Sequence, residues 1–162
     1  MPGSLWTFAV EAYGRPDAQA ACLALQDDHG VNVCYLLWAA WGEAGSLPLD
    51  LAAGAELALT WEAGVSAPLR LARRALKPDW AQIERDARES LRGEVKRLEL
   101  SAERLLLDSL EALPTAVLPE GSAPVSLFTA AARWRRPPPT SAVSRLHAAI
   151  TNSGYGPASE PG

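Results

Sequence analysis

The chain has 162 residues, of which 48% are hydrophobic and 21% are charged, so it is large and apolar enough to form one domain with its own core. It contains few valines and only two isoleucines, which disfavours a large β-sheet because sheets are enriched in β-branched residues. The longest apolar run covers residues 33–41, whereas a membrane-spanning helix needs about 20 apolar residues, so the sequence predicts no membrane span.

The net charge of −4 is unevenly distributed along the chain. Residues 1–64 contain one basic and eight acidic side chains, a net charge of −7, whereas residues 65–104 contain ten basic and seven acidic ones, a net charge of +3. Such an asymmetry indicates either an electrostatic partner or attraction between two halves of one domain. We favour the internal attraction.

The N-terminal residues and the cysteines give the same expectation about the compartment. Residues 1–4 show no basic region followed by an apolar one, as a signal peptide would. Cys22 and Cys34 are too few for a disulfide framework, and we expect two buried thiols that behave as small hydrophobic groups. The sequence therefore predicts a cytoplasmic protein.

Three helices are predicted in the first 45 residues. Ser4 is a suitable N-cap for the first, and Pro16 suits the first turn of a second helix that ends near His29. Gly30 can adopt the left-handed conformation that ends this helix, and Asn32 can cap the third. The third helix holds the long apolar run, so we expect it to be buried on all sides.

A fourth and a fifth helix are predicted between residues 50 and 77. Asp50 is a plausible cap for the fourth. Ser66 and Pro68 are typical of a new helix start, so the sequence predicts a separate fifth helix that runs to about Lys77. Pro78 then separates it from the next helix.

The sixth predicted helix is long and amphipathic and covers residues 80–113, with Asp79 and Gln82 as a capping box. Its apolar side chains recur in steps of four and three residues, at Leu91, Val95, Leu98, Ala102 and Leu105. At 1.5 Å per residue the helix would be about 50 Å long. We expect a helix of this length to extend beyond the domain and to offer an interaction face or a homodimer seam.

We therefore predict an all-α fold, with a compact domain of about six helices at residues 4–113 and a tail at residues 114–162. Eight of the thirteen prolines lie in the tail, together with glycine- and serine-rich stretches, which indicates a mostly disordered segment. Two short apolar stretches, near residues 127–134 and 143–150, can form helical turns that dock on the domain or on a partner.

Four basic side chains form what we call the basic ridge: Arg70, Arg73, Arg74 and Lys77. Their spacing of three, four and seven residues places them on one side of the fifth helix, where like charges repel unless anions lie nearby. The anions are either carboxylates from the first 64 residues or those of a partner. An acidic protein surface, a phosphate or a nucleic acid would fit, although the overall acidic charge disfavours general affinity for nucleic acid.

A second candidate binding segment lies in the tail, where Arg133, Trp134, Arg135 and Arg136 precede three consecutive prolines. Cations around an aromatic ring, followed by a stiff polyproline stretch, are typical of a docking peptide. Its partner would be RNA, an acidic protein groove or an anionic membrane surface. The alternative is a solvated tail without a partner.

Asp27, Asp28 and His29, with Asn32 nearby, are the residues that most resemble a metal or acid–base site. A structural interpretation explains them equally, because His29 suits the negative end of a helix and Asn32 caps the next one. The sequence offers no third ligand with metal spacing and no nucleophile elbow, phosphate loop or dinucleotide motif. We expect no cofactor, and we regard an enzyme as the weaker alternative.

Several short motifs resemble those of a known family, at residues 5–8 (LWTF), 22–26 (CLALQ), 68–77 (PLRLARRALK) and 99–104 (ELSAER). The family is a group of small bacterial all-helical proteins that form a domain of unknown function. The resemblance covers about residues 4–113. It implies a helical fold and a bacterial, cytosolic setting, and it implies no activity.

The leading functional hypothesis is a non-catalytic protein-interaction module, an adaptor or a regulatory subunit. It would use the basic ridge, the long helix and the tail to bind a protein partner. One alternative is a nucleic-acid or nucleotide-binding accessory protein, and the other is a small enzyme or metal site around Asp27, Asp28 and His29.

Overall fold

The computed structural model describes residues 3–152 as an all-helical protein, which confirms the predicted fold class. Within this range no strand is present, and one isolated β-bridge joins Leu49 to Thr115. The helices are α1 (Leu5–Tyr13), α2 (Pro16–His29), α3 (Val33–Ala44), α4 (Leu51–Trp61), a π-helical turn (Glu62–Ser66), α5 (Ala67–Ala75), α6 (Arg85–Glu111), α7 (Leu127–Ala132) and α8 (Thr140–Thr151).

The predicted caps of the first, third and fourth helices are confirmed. Asn32 Oδ1 accepts a hydrogen bond from the Tyr35 amide at 3.1 Å, and the side chains of Ser4 and Asp50 cap α1 and α4 in the same way. These bonds satisfy amides that have no partner within their own helix. Gly30 ends α2 with a φ of 63°, in the left-handed region that glycine adopts without strain.

Helix α3 forms the centre of the core, as its apolar run predicted. Ten of its twelve residues are buried, and α1, α2, α4, α6 and α7 all pack against it. Its largest fully buried side chains are Trp38 and Tyr35. The Tyr35 hydroxyl donates a hydrogen bond to the Ala130 carbonyl oxygen at 3.0 Å, so the polar end of this ring is satisfied within the core.

The predicted break between the fourth and fifth helices is wrong, because the chain stays helical from α4 through the π-helical turn into α5. Ser66 makes no capping hydrogen bond with its side chain, and the Ala67 amide instead bonds to the Glu62 carbonyl, five residues earlier. Pro68 has no N–H to donate to an α-helical ladder. The wider π-turn directly before it accommodates a proline that a regular helix interior would not.

Helix α6 begins later than predicted. Glu84 is its N-cap, and the Glu84 carboxylate accepts hydrogen bonds from the amides of Asp86 (2.9 Å) and Ala87 (2.7 Å). The proposed capping box at Asp79 is therefore wrong, since the Asp79 carboxylate accepts a hydrogen bond from the buried Arg88 guanidinium at 2.8 Å. With 27 residues the helix is about 40 Å long at 1.5 Å per residue.

The two apolar stretches in the predicted tail form α7 and α8, and both helices contribute to the core. Leu127, Val143 and Leu146 are fully buried, and α8 packs along α2. The helical turns predicted for these two stretches are therefore present, and of the two alternatives they dock on the domain, where their apolar sides pack on α3 and α2. The glycine- and serine-rich residues 153–162 lie outside the described part of the chain.

Gly54 of α4 packs directly against the indole ring of Trp38, and a Cβ atom at this position would overlap that ring. Because the ring is buried and cannot move aside, we expect Gly54→Ala to lower the free energy of unfolding by about 1–3 kcal/mol. Equilibrium unfolding in urea measures this difference.

Gly93→Ala in α6 is the matched control, since a Cβ atom there has no neighbour within 4 Å. Alanine has the higher helix propensity, so this variant should gain about 0.5–1 kcal/mol. Equal effects of the two substitutions would contradict the packing of α4 on α3.

Candidate functional site

Three of the four cations in the basic ridge face carboxylates of the same chain. Arg70 pairs with Glu62 of the π-helical turn at 2.8 Å, Arg73 pairs with Glu99 of α6, and Arg74 pairs with Asp27 of α2 at 2.8 Å. Lys77 makes no ion pair within residues 3–152.

The ridge is therefore largely neutralised from within, which is the interpretation that we favoured for the charge asymmetry. Glu62 and Asp27 belong to the acidic N-terminal part, as expected, but Glu99 belongs to the same basic region as the ridge itself. A binding role of the ridge toward an external partner stays a prediction.

Glu62 is held from two sides beneath the π-helical turn. Its Oε1 accepts from Arg70, and its Oε2 accepts from the Asn32 side-chain amide, each at 2.8 Å. A cavity of about 20 Å³ lies next to this arrangement, with room for about one water molecule. Its polar lining comes from four helices and includes Gln26, Asn32, Cys34, Ser66, Arg70, Glu99 and Glu103.

Glu103 is the carboxyl group of this cluster that makes no hydrogen bond through its side chain to the described residues. Burial raises its pKa, and the nearby carboxylates of Glu99 and Glu62 act in the same direction, whereas Arg70 and Arg73 act against it. Glu99 and Glu103 were not predicted from the sequence to belong to a site. Their spacing of four residues on α6, which matches the spacing of Arg70 and Arg74 on α5, was the available signal.

The thiol and phenol groups near this cluster are held in their protonated forms at neutral pH. Burial raises the pKa of Cys22 to about 12, and it raises the pKa values of Cys34 and Tyr13 as well. The Cys34 thiol donates a long hydrogen bond to the Glu103 carbonyl oxygen at 3.8 Å. Because the thiolate is the nucleophilic form, this environment suits structural cysteines.

Asp27 is engaged apart from Asp28 and His29. Asp27 pairs with Arg74, whereas Asp28 and His29 both line the same two open clefts, one between α2 and α8 and one beside residues 134–137. No group of three or more His, Cys, Asp or Glu suited to a metal ion occurs among the described residues.

The side chains of residues 133–136, which the sequence groups as one docking peptide, lie in three different places. Trp134 is buried, stacks on Tyr35 with ring centroids 5.4 Å apart, and donates its indole N–H to the Gly30 carbonyl oxygen at 3.0 Å. Its expected role as an exposed docking ring is therefore wrong. Arg133 lines a cleft at the start of α4, and Arg135 and Arg136 line the cleft that contains His29.

Helix α6 leaves a row of leucines open to solvent, which we call the leucine stripe. Its members Leu91, Leu98 and Leu105 are 48%, 55% and 57% exposed and follow one another at intervals of seven residues. Such spacing places them on one side of the helix. Helix α5 covers a different side, where the ion pair of Arg73 with Glu99 holds the two helices together.

We expect Arg70→Met to lower the free energy of unfolding by about 1–3 kcal/mol, because it leaves the Glu62 carboxylate without its cation. Both side chains are shielded from water, with Arg70 16% and Glu62 15% exposed. Chemical denaturation of the purified variant measures the loss.

Arg74→Met provides the control, because Arg74 and Asp27 are 51% and 44% exposed and such pairs contribute at most about 1 kcal/mol. If Arg74→Met lowered the free energy of unfolding as much as Arg70→Met does, the shielded pair of Arg70 with Glu62 would not be more important for stability than the exposed pair.

Glu103→Gln should stabilise the protein at neutral and higher pH. Above the raised pKa of Glu103 the folded parent carries a buried negative charge that the glutamine variant lacks. The ion pairs of Arg70 with Glu62 and of Arg73 with Glu99 remain in the variant. Below the ordinary pKa of a glutamate the group is protonated in both the folded and the unfolded chain, so the advantage of the variant disappears. Unfolding free energies measured across a pH series test this, and a constant difference between variant and parent would contradict it.

Comparisons with known proteins add a family assignment to this geometry. A family model described as "Protein of unknown function (DUF2390)" matches residues 4–110. Neither the comparison with curated proteins nor the comparison with solved structures finds a match. In residues 3–152 no helix combines the length and the apolar character that a membrane span requires. Since the family model covers well over half of the sequence, the chain belongs to the DUF2390 family, as its motifs led us to expect.

Proposed function

We propose that this chain is a non-catalytic interaction module, an adaptor or a regulatory subunit, whose leucine stripe on α6 binds an amphipathic helix of a protein partner. The observation that carries the proposal is the exposure of Leu91, Leu98 and Leu105 along one side of a long helix. Single exposed leucines are common on protein surfaces, whereas apolar residues in a row form a patch of the kind that binds other proteins.

The pattern of the stripe favours a helix as the occupant. The three leucines recur every seven residues, which is the spacing of one core position of a coiled coil. Val95 and Ala102 lie between them in sequence but turn toward the domain, where Ala102 is buried, so the leucines are the side chains that a partner helix would contact. The stripe spans about 20 Å at 1.5 Å per residue, so it would accommodate about four turns of a partner helix.

The border of the stripe indicates the charge that the partner would carry. Glu94 lies three residues after Leu91 and four before Leu98, and its carboxylate has no ion pair within the described residues. Ser101 occupies the equivalent position between Leu98 and Leu105. A basic side chain of the partner helix beside Glu94 would therefore add an ion pair at the edge of an apolar contact.

The other functional hypotheses find less support in the geometry. The arginines of the basic ridge are paired within the chain, which reduces the positive field that a nucleic acid would meet. Asp27 is paired with Arg74 and not with Asp28 or His29, and both cysteines are held as thiols. The exposed leucine stripe therefore supports a binding module better than the candidate catalytic residues support an enzyme.

Leu98→Glu tests the proposal. A carboxylate in the middle of an apolar helix–helix contact must lose its hydration, so we expect the affinity for the partner to fall at least about tenfold. Proteins retained by the tagged chain from its host are identified by mass spectrometry, and their affinities for parent and variant are measured by calorimetry. Light scattering shows whether the partner is a second copy.

Leu100→Glu is the matched control, since Leu100 is 56% exposed on the opposite side of the same helix. It should bind as the parent does, and circular dichroism should show both variants folded. A parent chain that stays monomeric and retains no protein, or equal binding by the two variants, would overturn the proposal.

A further inference from the structure

Three basic side chains line one cleft at the C-terminal end of α2, and no residue of the leucine stripe lines this cleft. His29, Arg135 and Arg136 line one open cleft of about 530 Å³, a volume typical of sites for small molecules. The buried Trp134 fixes their arrangement, because its indole N–H bonds to the Gly30 carbonyl oxygen and thereby holds the arginines beside the end of α2.

The arginines of this cleft differ from the three arginines of the basic ridge in that they have no ion-pair partner among the described residues. Arg135 and Arg136 make no hydrogen bond or ion pair through their guanidinium groups to the described residues, and the His29 imidazole makes none either. Adjacent guanidinium groups repel each other, and a shared anion removes that repulsion. Their planar N–H arrangement matches the oxygens of a phosphate group.

The negative groups around the cleft are mostly engaged elsewhere. Glu62 lines it, but its carboxylate accepts from Arg70 and Asn32. Two carbonyl groups near the end of α2, those of Gln26 and Leu25, accept hydrogen bonds from the amides of Gly30 and Val31. Asp28 is the lining carboxylate without an ion pair in residues 3–152, so the two guanidinium groups exceed the free carboxylates by one charge.

The floor of the cleft is apolar. Leu59, Ala63, Trp134 and Pro137 line it beside the charged groups. An occupant therefore needs two parts, an anionic group for the arginines and an apolar or planar body for the floor. Inorganic phosphate would use only the first part.

From these observations we infer that the cleft binds an organic phosphate of about the size of a nucleoside monophosphate, with its phosphate group on Arg135 and Arg136 and its body against Leu59 and Pro137. A phosphate monoester carries a charge of about −1.5 to −2 at neutral pH, which matches two guanidinium groups. This inference does not depend on the proposed role of the leucine stripe, because no residue of the stripe lines the cleft.

Titration of the full chain with adenosine 5′-monophosphate tests the inference by calorimetry and by the NMR signal of the Trp134 indole N–H. We expect a dissociation constant below about 1 mM and a shift of that signal. Ribose 5-phosphate and adenosine, each of which lacks one half of the ligand, should bind more weakly than the nucleotide.

Variants separate binding in the cleft from general attraction of anions. The double substitution Arg135→Gln with Arg136→Gln should weaken binding at least about tenfold, because charge-assisted hydrogen bonds to the phosphate are lost. Asp28→Asn should strengthen it, since a repelling carboxylate is removed. Lys96→Gln with Arg97→Gln removes two adjacent cations from α6, outside the cleft, and should have little effect.

Two results would overturn the inference. One is that neither adenosine monophosphate nor ribose 5-phosphate binds at about 1 mM. The other is that the substitutions in the cleft and those on α6 weaken binding equally, which would show that the anion is attracted by overall charge. Arg135 and Arg136 are exposed, so their substitution leaves the core intact, and thermal unfolding confirms this for each variant.

Discussion

Helix α3 is buried on almost every side, and five other helices cover it. Ten of its twelve residues are buried, so five helices must pack around it. This requirement explains why α7 is part of the core although it lies in a proline-rich region. The hydrogen bond from Tyr35 to the Ala130 carbonyl shows that the cover is specific, because a polar atom in the core finds its partner on α7.

Several charged side chains at the surface are likewise paired with groups from other helices. Arginines of α5 pair with carboxylates from three other elements, the π-helical turn, α6 and α2. Arg70 and Glu62 are shielded, and their removal from water is compensated by the second hydrogen bond that Asn32 donates to Glu62. Arg135 and Arg136 are among the cations without an ion pair in residues 3–152, and they are informative for binding because both line one cleft.

The sequence was sufficient to predict the features that depend on local interactions. Ser4, Asn32 and Asp50 cap helices as expected, and the apolar run at residues 33–41 lies in the central helix. The start of α6 was missed because Glu84 is an uncommon cap, whereas Asp79 resembles a common one and is taken by Arg88.

Features that depend on distant contacts were not predictable in this way. The sequence placed Trp134 in a stretch that could dock on the domain or on a partner, but nothing in its neighbouring residues reveals the stacking on Tyr35 or the bond to Gly30. The binding residues were predicted only in part for the same reason. The sequence placed Arg135 and Arg136 in one group with Arg133, whereas the fold separates them and adds His29 from a position more than 100 residues away.

The π-helical turn has a geometric consequence for the whole of α5. A π-turn contains one residue more than an α-turn, and each residue of a helix advances the direction of its side chains by about 100°. The additional residue between Glu62 and Ser66 therefore rotates the side-chain directions of α5 relative to those of α4. As a result, the side chains of Ala55 and Ala58 in α4 face the core. The arginines of α5, on the same continuous helix, face their carboxylates in a different direction.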